Sequence, residues 1–367
     1  PDDPGRLRER YLDPPDDEGD RGAPVEGRLG DGDAHPSRRA IADEADRVDG
    51  LRGPAGGDPA ARTTGAGARI CGRGILDTSP WPHFSGPSGV ANPFVFANGT
   101  VGSPIRVEGV VLRHGWRATA VVRSNVILSN VKICSSQQTN DDAVSIEGAN
   151  VLVENCFIRS DDDCVTTKNQ CENVTVRNCQ LWCDRARNIM LGPESSGLYQ
   201  RNFLMENLLL FRHIVTESNE GELCVGCPAI ALQAGGPDSH YSSITIRNVR
   251  VVSEPRSSGL NYIQVATVVQ PLWGVNYPGY VDGPILLENI SYTGGQATAS
   301  VRVEGYDSDH LVQNVTFRSV TRHGVPVTRT SPNVTVNANT RNIVFDTGTV
   351  TNVPPSITLT SPMNGST

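Results

Sequence analysis

The phrase Asn-Val-x-Val-x-Asn recurs along this chain, and it constrains the fold more than any other feature. It appears as NVILSN at Asn125–Asn130, NVLVEN at Asn150–Asn155 and NVTVRN at Asn173–Asn178. Looser copies are FLMEN ending at Asn207, ITIRN at Asn248, ILLEN at Asn289, HLVQN at Asn314, and NIVFD beginning at Asn342. The closing Asn130, Asn155 and Asn178 follow one another after 25 and 23 residues. A period of that size, built on β-branched alternation, predicts a solenoid of short strands in which each coil buries its apolar face against the next. A terminal Asn can hydrogen-bond its counterpart one coil away. A sandwich would instead show hairpin turn signals. The expected fold is all-β, a single-stranded right-handed parallel β-helix.

The same logic aligns a second strand in each coil: AVSI from Ala143, CVTT from Cys164, NIML from Asn188, AIAL from Ala229, YIQV from Tyr262 and SVRV from Ser300. The inward row is then Val144, Val165, Ile189, Ile230, Ile263 and Val301. The outward row is Ser145, Thr166, Met190, Ala231, Gln264 and Arg302. Parallel coils sit about 4.8 Å apart, so members of one row touch.

The repeat begins near Ile70. Residues 1–65 are dense in Asp, Arg, Gly, Pro and Ala with no periodicity. They read as disordered, with too little apolar surface to offset ordering entropy, or as sequence foreign to the native frame. The expected organisation is 1–65 apart, a β-helix over 66–353, and 354–367 as a linker into a truncated immunoglobulin-like module. A net charge of −8 argues against nucleic acid as a partner. No apolar run reaches the roughly 18 residues of a membrane span. The chain is expected to act as a monomer, exported, with any leader outside the visible sequence.

Nine cysteines accompany this pattern. Cys134, Cys156 and Cys179 are expected at matching coil positions, stacked inward. Cys171 with Cys183, and Cys224 with Cys227, can form disulfides in an exported protein. The lone Cys224–Cys227 CxxC lacks the second ligand pair of a zinc site.

Two acidic stretches carry the chemistry, NDDAVSI at Asn140–Ile146 and SDDDCVTT at Ser160–Thr167. The row alignment stacks Asp142, Asp163 and Arg187 at one edge of successive coils, with Asp162 beside Asp141. Carboxylates about 5 Å apart repel unless they share a proton, water or cation, so such pairs tend to exist for chemistry. Glycoside hydrolysis suits them: Asp142 and Asp163 can hold the attacking water, and Asp162 can protonate the leaving oxygen. A solvated turn and a calcium site are the competing readings. No metal or cofactor is expected. Candidate substrate contacts are Asp141, Lys168, Trp182, Arg187, Glu194, Tyr262 and Gln264, with His114 and Trp116 able to cap the cleft.

These motifs resemble the β-helical glycoside hydrolases of family 28, the polygalacturonases, and their clan relatives of family 49, the dextranases. The family 28 pattern is Asn-Thr-Asp, then Asp-Asp-Cys-Val/Ile, then Gly-His-Gly, then Arg-Ile-Lys. Asn140-Asp141-Asp142 matches the first with Asp141 for Thr, and Asp162-Asp163-Cys164-Val165 matches the second. The resemblance implies Asp162 as general acid and Asp142 with Asp163 as the water-activating bases. It spans roughly Ile70–Val350 as a repeat, with the specific motifs carried by only about 55 residues. Two positions depart from it: Gly-His-Gly reads Ala186-Arg187-Asn188, and Arg-Ile-Lys reads Ala229-Ile230-Ala231. In polygalacturonases that basic pair grips the galacturonate carboxylate, so its loss favours a neutral, dextran-like glucan over galacturonan. A polygalacturonase or rhamnogalacturonase, a calcium-dependent lyase with Arg187 as base, and a non-catalytic solenoid remain as alternatives.

Overall fold

The computed structural model describes residues 61–63, 67–77, 95–113, 118–135, 141–194, 199–212, 227–253, 261–271, 274–295, 297 and 299–348. All fall in one compact unit, Ala40–Thr367. Among the described residues there is no α-helix, and no helix long and apolar enough to cross a membrane. His114, Trp116, Asn140 and the 354–367 segment lie outside the described residues, as does nearly all of 1–65. Ala61–Thr63 is an exception: it is a strand paired in parallel with Val95–Ala97, so the solenoid begins before residue 66.

Each coil contributes three strand faces. The first is a ten-stranded parallel sheet that includes Asp142–Ile146, Val165–Thr167, Ile189–Leu191, Ile230–Ala234, Asn261–Thr267 and Ser300–Glu304. The second and third form the other sheet, as in Ala149–Glu154 followed by Phe157–Ser160. The turn between them is two residues, Asn155 and Cys156. The coils advance by parallel crossovers, a connection that is right-handed in nearly all cases.

The repeated phrase earns its two asparagines. Asn125, Asn150, Asn173 and Asn202 open the second face, and Asn130, Asn155, Asn178, Asn207, Asn248 and Asn289 close it, all with φ of 51–60°. Asn tolerates this left-handed conformation, which costs most residues about 1–2 kcal/mol. Most of these side chains also bond the coil before them. Asn150 Nδ2 donates to Asn125 Oδ1 at 3.1 Å and Asn173 to Asn150 at 3.0 Å. In the closing row Asn207 donates to Asn178 at 3.1 Å and Asn248 to Asn207 at 3.2 Å. HLVQN is the exception: Asn314 pairs with Asn342 in the opening row, and Ser319 takes the closing position opposite Asn289. The phrase had slipped by one corner there.

The inward row is as expected. Val144, Val165, Ile189, Ile230, Ile263 and Val301 stand in register and are fully buried. Burying each stabilises the fold by about 1.5–3 kcal/mol. Cys156 and Cys179 stack inward, but Cys134 does not join them. Its register partner is Arg159, on the outward side of the third face, and the matching inward residue is Val131. Cys171 and Cys183 are thiols, not a disulfide: Cys171 Sγ donates to Ile146 O and Lys168 O, and Cys183 Sγ to Asp162 O. Cys227 is disulfide-bonded, and its expected partner Cys224 lies outside the described residues.

Candidate active site

The acidic edge lies where the chain turns from the third face onto the first. Val144 pairs with Val165 and Val165 with Ile189, which puts Asp142, Asp163 and Arg187 two residues upstream on three consecutive coils. Backbone bonds continue the ladder past the strand ends: Ala143 N–H donates to Asp163 O at 2.9 Å, and Cys164 N–H to Arg187 O at 3.0 Å. Asp162 sits on the bend itself. Its carbonyl accepts from Ser160 Oγ at 2.8 Å and Cys183 Sγ at 3.3 Å, which pins the turn. One carboxylate oxygen each of Asp142, Asp162 and Asp163 lie within 4.8 Å of one another. Asp142 and Asp163 are buried, whereas Asp162 keeps part of its surface open.

Two cations hold this charge. The Arg187 backbone N–H donates to Asp163 Oδ1 at 3.0 Å, and its guanidinium lies 3.7 Å from the same oxygen. Lys168 Nζ stands 3.1 Å from Asp142 and 2.6 Å from Glu194. Burial nevertheless dominates. It pushes Asp142 up to about 7, with Lys168 pulling the other way and Asp162 adding to the rise. Asp162 and Asp163 titrate together and are also raised to about 7, by burial first, each then by its acidic neighbours, with Arg187 and Lys168 opposing. Burial lowers the Lys168 ammonium, but Asp142 and Glu194 more than offset this and hold it above its usual range. Asp141 is buried behind the group. Its Oδ2 accepts a short bond from Ser135 Oγ, and burial pushes it up to about 8.

Three carboxylates clustered near neutrality can divide labour: a protonated member donates while ionised members polarise water. The same spacing could be bridged by a divalent cation through hard oxygens. Here Asp163 and Asp142 already face protein cations, which reduces the charge a metal would be needed to neutralise.

Other expected contacts divide. Glu194 lies at the lip beside Lys168. Gln264 faces outward on the first face and accepts from Gln233 Nε2 at 2.8 Å, but it lies three coils beyond Thr166, about 14 Å along the solenoid. Tyr262 is not on the cleft. The register is irregular between Asn261 and Ile263, which turns its ring inward against Tyr292 at 5.0 Å, with its hydroxyl donating to Thr321 O. Trp182 belongs to the third face, where alternation buries Leu181 and Cys183 and sends Trp182 outward. It packs against Phe211 at 5.5 Å and beneath Arg159 at 5.2 Å, and its Nε1–H donates to Asp184. Ser135 was missed by sequence reasoning. Its in-register partner Ser160, the hydroxyl pinning the Asp162 turn, was the available signal.

A parallel β-helix with three clustered aspartates at the edge of its first face is similar to the polygalacturonase class of β-helical glycoside hydrolases. Curated relatives carry that name. Exopolygalacturonase X-2 of Emericella nidulans is 26% identical over 166 residues, covering 43% of this chain and 36% of the relative. The exopolygalacturonase of Cochliobolus carbonum is 24% identical over 172 residues, covering 42% and 37%. The solved structure of a hyperthermoactive exopolygalacturonase from Thermotoga maritima aligns over 66% of this chain and 53% of that one, at 16% identity and a TM-score of 0.48. The chain thus spans a little over a third of the length of these curated relatives. No protein-family model matches it.

Proposed function

We propose that this solenoid is a glycoside hydrolase, with Asp162 as general acid, Asp142 and Asp163 activating water, and a galacturonan as the polymer cleaved. The observation that carries the reading is the approach of three carboxylates to within 4.8 Å beside Lys168 and Arg187. Asp162 has the open surface an acid needs to reach a glycosidic oxygen, while Asp142 and Asp163 lie deeper, as a water-holding pair should. The lyase alternative loses its base, because Arg187 is buried and committed to Asp163. A polymeric substrate places the reaction outside the cell, so export is part of the proposal.

The expected preference for a neutral glucan is revised. It rested on the missing Arg-Ile-Lys pair, and Ala229 and Ala231 are indeed small and fully buried. Yet the acidic edge keeps one part-exposed cation, Lys168, and the relatives that match are named for action on polygalacturonan. A uronate polymer is the better-supported substrate.

Carboxylates this close also favour a second stereochemical reading. Inverting sites with two carboxyls separate them by roughly 6.5–9.5 Å, and retaining sites by roughly 5–5.5 Å. With three carboxylates, two can share one water while the third protonates, so inversion remains the proposal. Product configuration decides between them.

The test measures reducing ends released from polygalacturonate, dextran and pullulan, with the product anomer read by proton NMR. Asp162→Asn should lower kcat on polygalacturonate roughly 10²–10⁴-fold with the fold unchanged by circular dichroism. Undiminished turnover in that variant, or unsaturated products in place of reducing ends alone, would overturn the assignment.

A further inference from the structure

Beside the carboxylates lies an ion pair that this catalytic scheme does not use. Lys168 follows the strand Val165–Thr167, and its ammonium reaches back along the outer side of the first face to Asp142 while also meeting Glu194 on the next coil. The side chains of Lys168 and Glu194 are 31% and 38% exposed, against 7% for Asp142 and 10% for Asp163. The pair therefore sits at the solvent lip, above the carboxylates.

An anionic sugar approaching this groove faces a field set by Asp142, Asp162 and Asp163. It needs a cation that solvent can reach and whose charge is not wholly committed within the protein. Arg187 does not meet that requirement, since its side chain is 9% exposed and bound to Asp163. Along the outward row the next cation is Arg302, three coils past Met190 and paired with Glu304. An ammonium has three donors. Asp142 and Glu194 take two of them, and Glu194 is the more exposed partner, the one a competing carboxylate can replace without uncovering Asp142.

We propose that Lys168 is the cation that receives a substrate carboxylate, donating to it, and that Glu194 is its internal placeholder, displaced when a uronate enters. This rests on the galacturonan reading above. Lys168 keeps its contact with Asp142 throughout, because only its outer partner changes. Esterified or carboxyl-reduced sugars cannot displace Glu194 and should enter poorly.

Calorimetric titration of the non-cleaving Asp162→Asn protein with an oligogalacturonate, and with the same oligomer reduced to neutral galactose units, tests the exchange. Adding Lys168→Met should weaken binding of the acidic oligomer by roughly ten- to a hundred-fold and leave the reduced one unchanged. Lys168→Arg should retain most of the acidic affinity, and Glu194→Gln should tighten it several-fold. Equal weakening of both oligomers by Lys168→Met would mean that Lys168 only organises Asp142, and would overturn the assignment. Wild-type cleavage of polygalacturonate with an unaltered KM in Lys168→Met would overturn it while leaving the substrate reading intact. Failure of every variant to bind the acidic oligomer, with no cleavage by wild type, would overturn both.

Discussion

Replacing Asp141 with Asn should stabilise the protein, and should do so more as the pH rises. Asp141 is buried, one carboxyl oxygen accepts from Ser135, and the other has no hydrogen-bond partner among the described residues. Burial, then Asp142, Asp161 and Asp162, raise it from 3.8 to about 8, against the opposing Ser135 bond. Because the folded value exceeds the unfolded one, the folded state binds the extra proton between those limits. Stability contributed by this group is fully present below 3.8 and is lost as pH rises towards 8. At pH 7 the unfolded carboxyl is ionised and the folded one is not. The 3.2 units between 3.8 and 7, at 1.36 kcal/mol each, set a cost of about 4 kcal/mol as an upper limit. Asn matches the shape, carries no charge and can still accept from Ser135. The expected gain is therefore near zero at pH 4 and about 2–4 kcal/mol at pH 7, levelling off above pH 8. Urea unfolding of both proteins across that range measures it. A difference that is the same at pH 4 and pH 8, or a variant weaker at every pH, would refute the reasoning.

Two further outcomes concern the solenoid itself. Asn207→Ala should cost about 2–3 kcal/mol, from left-handed strain at φ 57° and from the bonds to Asn178 and Asn248, whereas Asn207→Gly should recover the strain component; chemical unfolding of the two variants separates them. Arg247→Met, which removes the 2.6 Å bridge to Glu206 on the surface, should cost under about 1 kcal/mol, and the loss should shrink in molar salt.

The rows were legible because one phrase fixes the register. Once Asn-Val-x-Val-x-Asn is aligned, the inward Val144-to-Val301 row and the stacking of Asp142 on Asp163 follow from the period of two along each strand. Reading failed where that period is broken or where reach matters more than position. Tyr262 is expected as a substrate contact, but the irregularity before Ile263 turns its ring inside. Cys134 is matched by its place near an asparagine, although it stands four positions after Asn130 whereas Cys156 directly follows Asn155. Trp182 is expected at the cleft as an aromatic of the kind sugar chains lie along, yet it lies on a different face. Lys168 was named as a contact, but its bond to Asp142 crosses coils through a long flexible side chain, and no repeat encodes that.

The neighbouring surface shows why the acidic edge calls for a chemical explanation. One column beside the closing asparagines runs Glu154, Arg177, Glu206, Arg247, Glu288, Arg318 and Asp346 through successive register pairs. Signs alternate at every step, with bridges of 2.7 Å at Glu154–Arg177, 2.6 Å at Glu206–Arg247 and 3.0 Å at Glu288–Arg318. Stacking on this repeat would otherwise place like charges about 4.8 Å apart, a repulsion on the order of 3 kcal/mol at an effective dielectric of 20. The chain avoids that penalty over seven coils on one column. It accepts it at Asp142 and Asp163, adds Asp162 at the bend, and answers with Arg187 and Lys168 rather than with alternation. A sequence able to neutralise its surface columns had the same means available at this edge. Retaining the clash there, with burial raising all three groups to about 7, keeps a proton exchangeable at working pH, which acid–base cleavage requires and a structural edge does not.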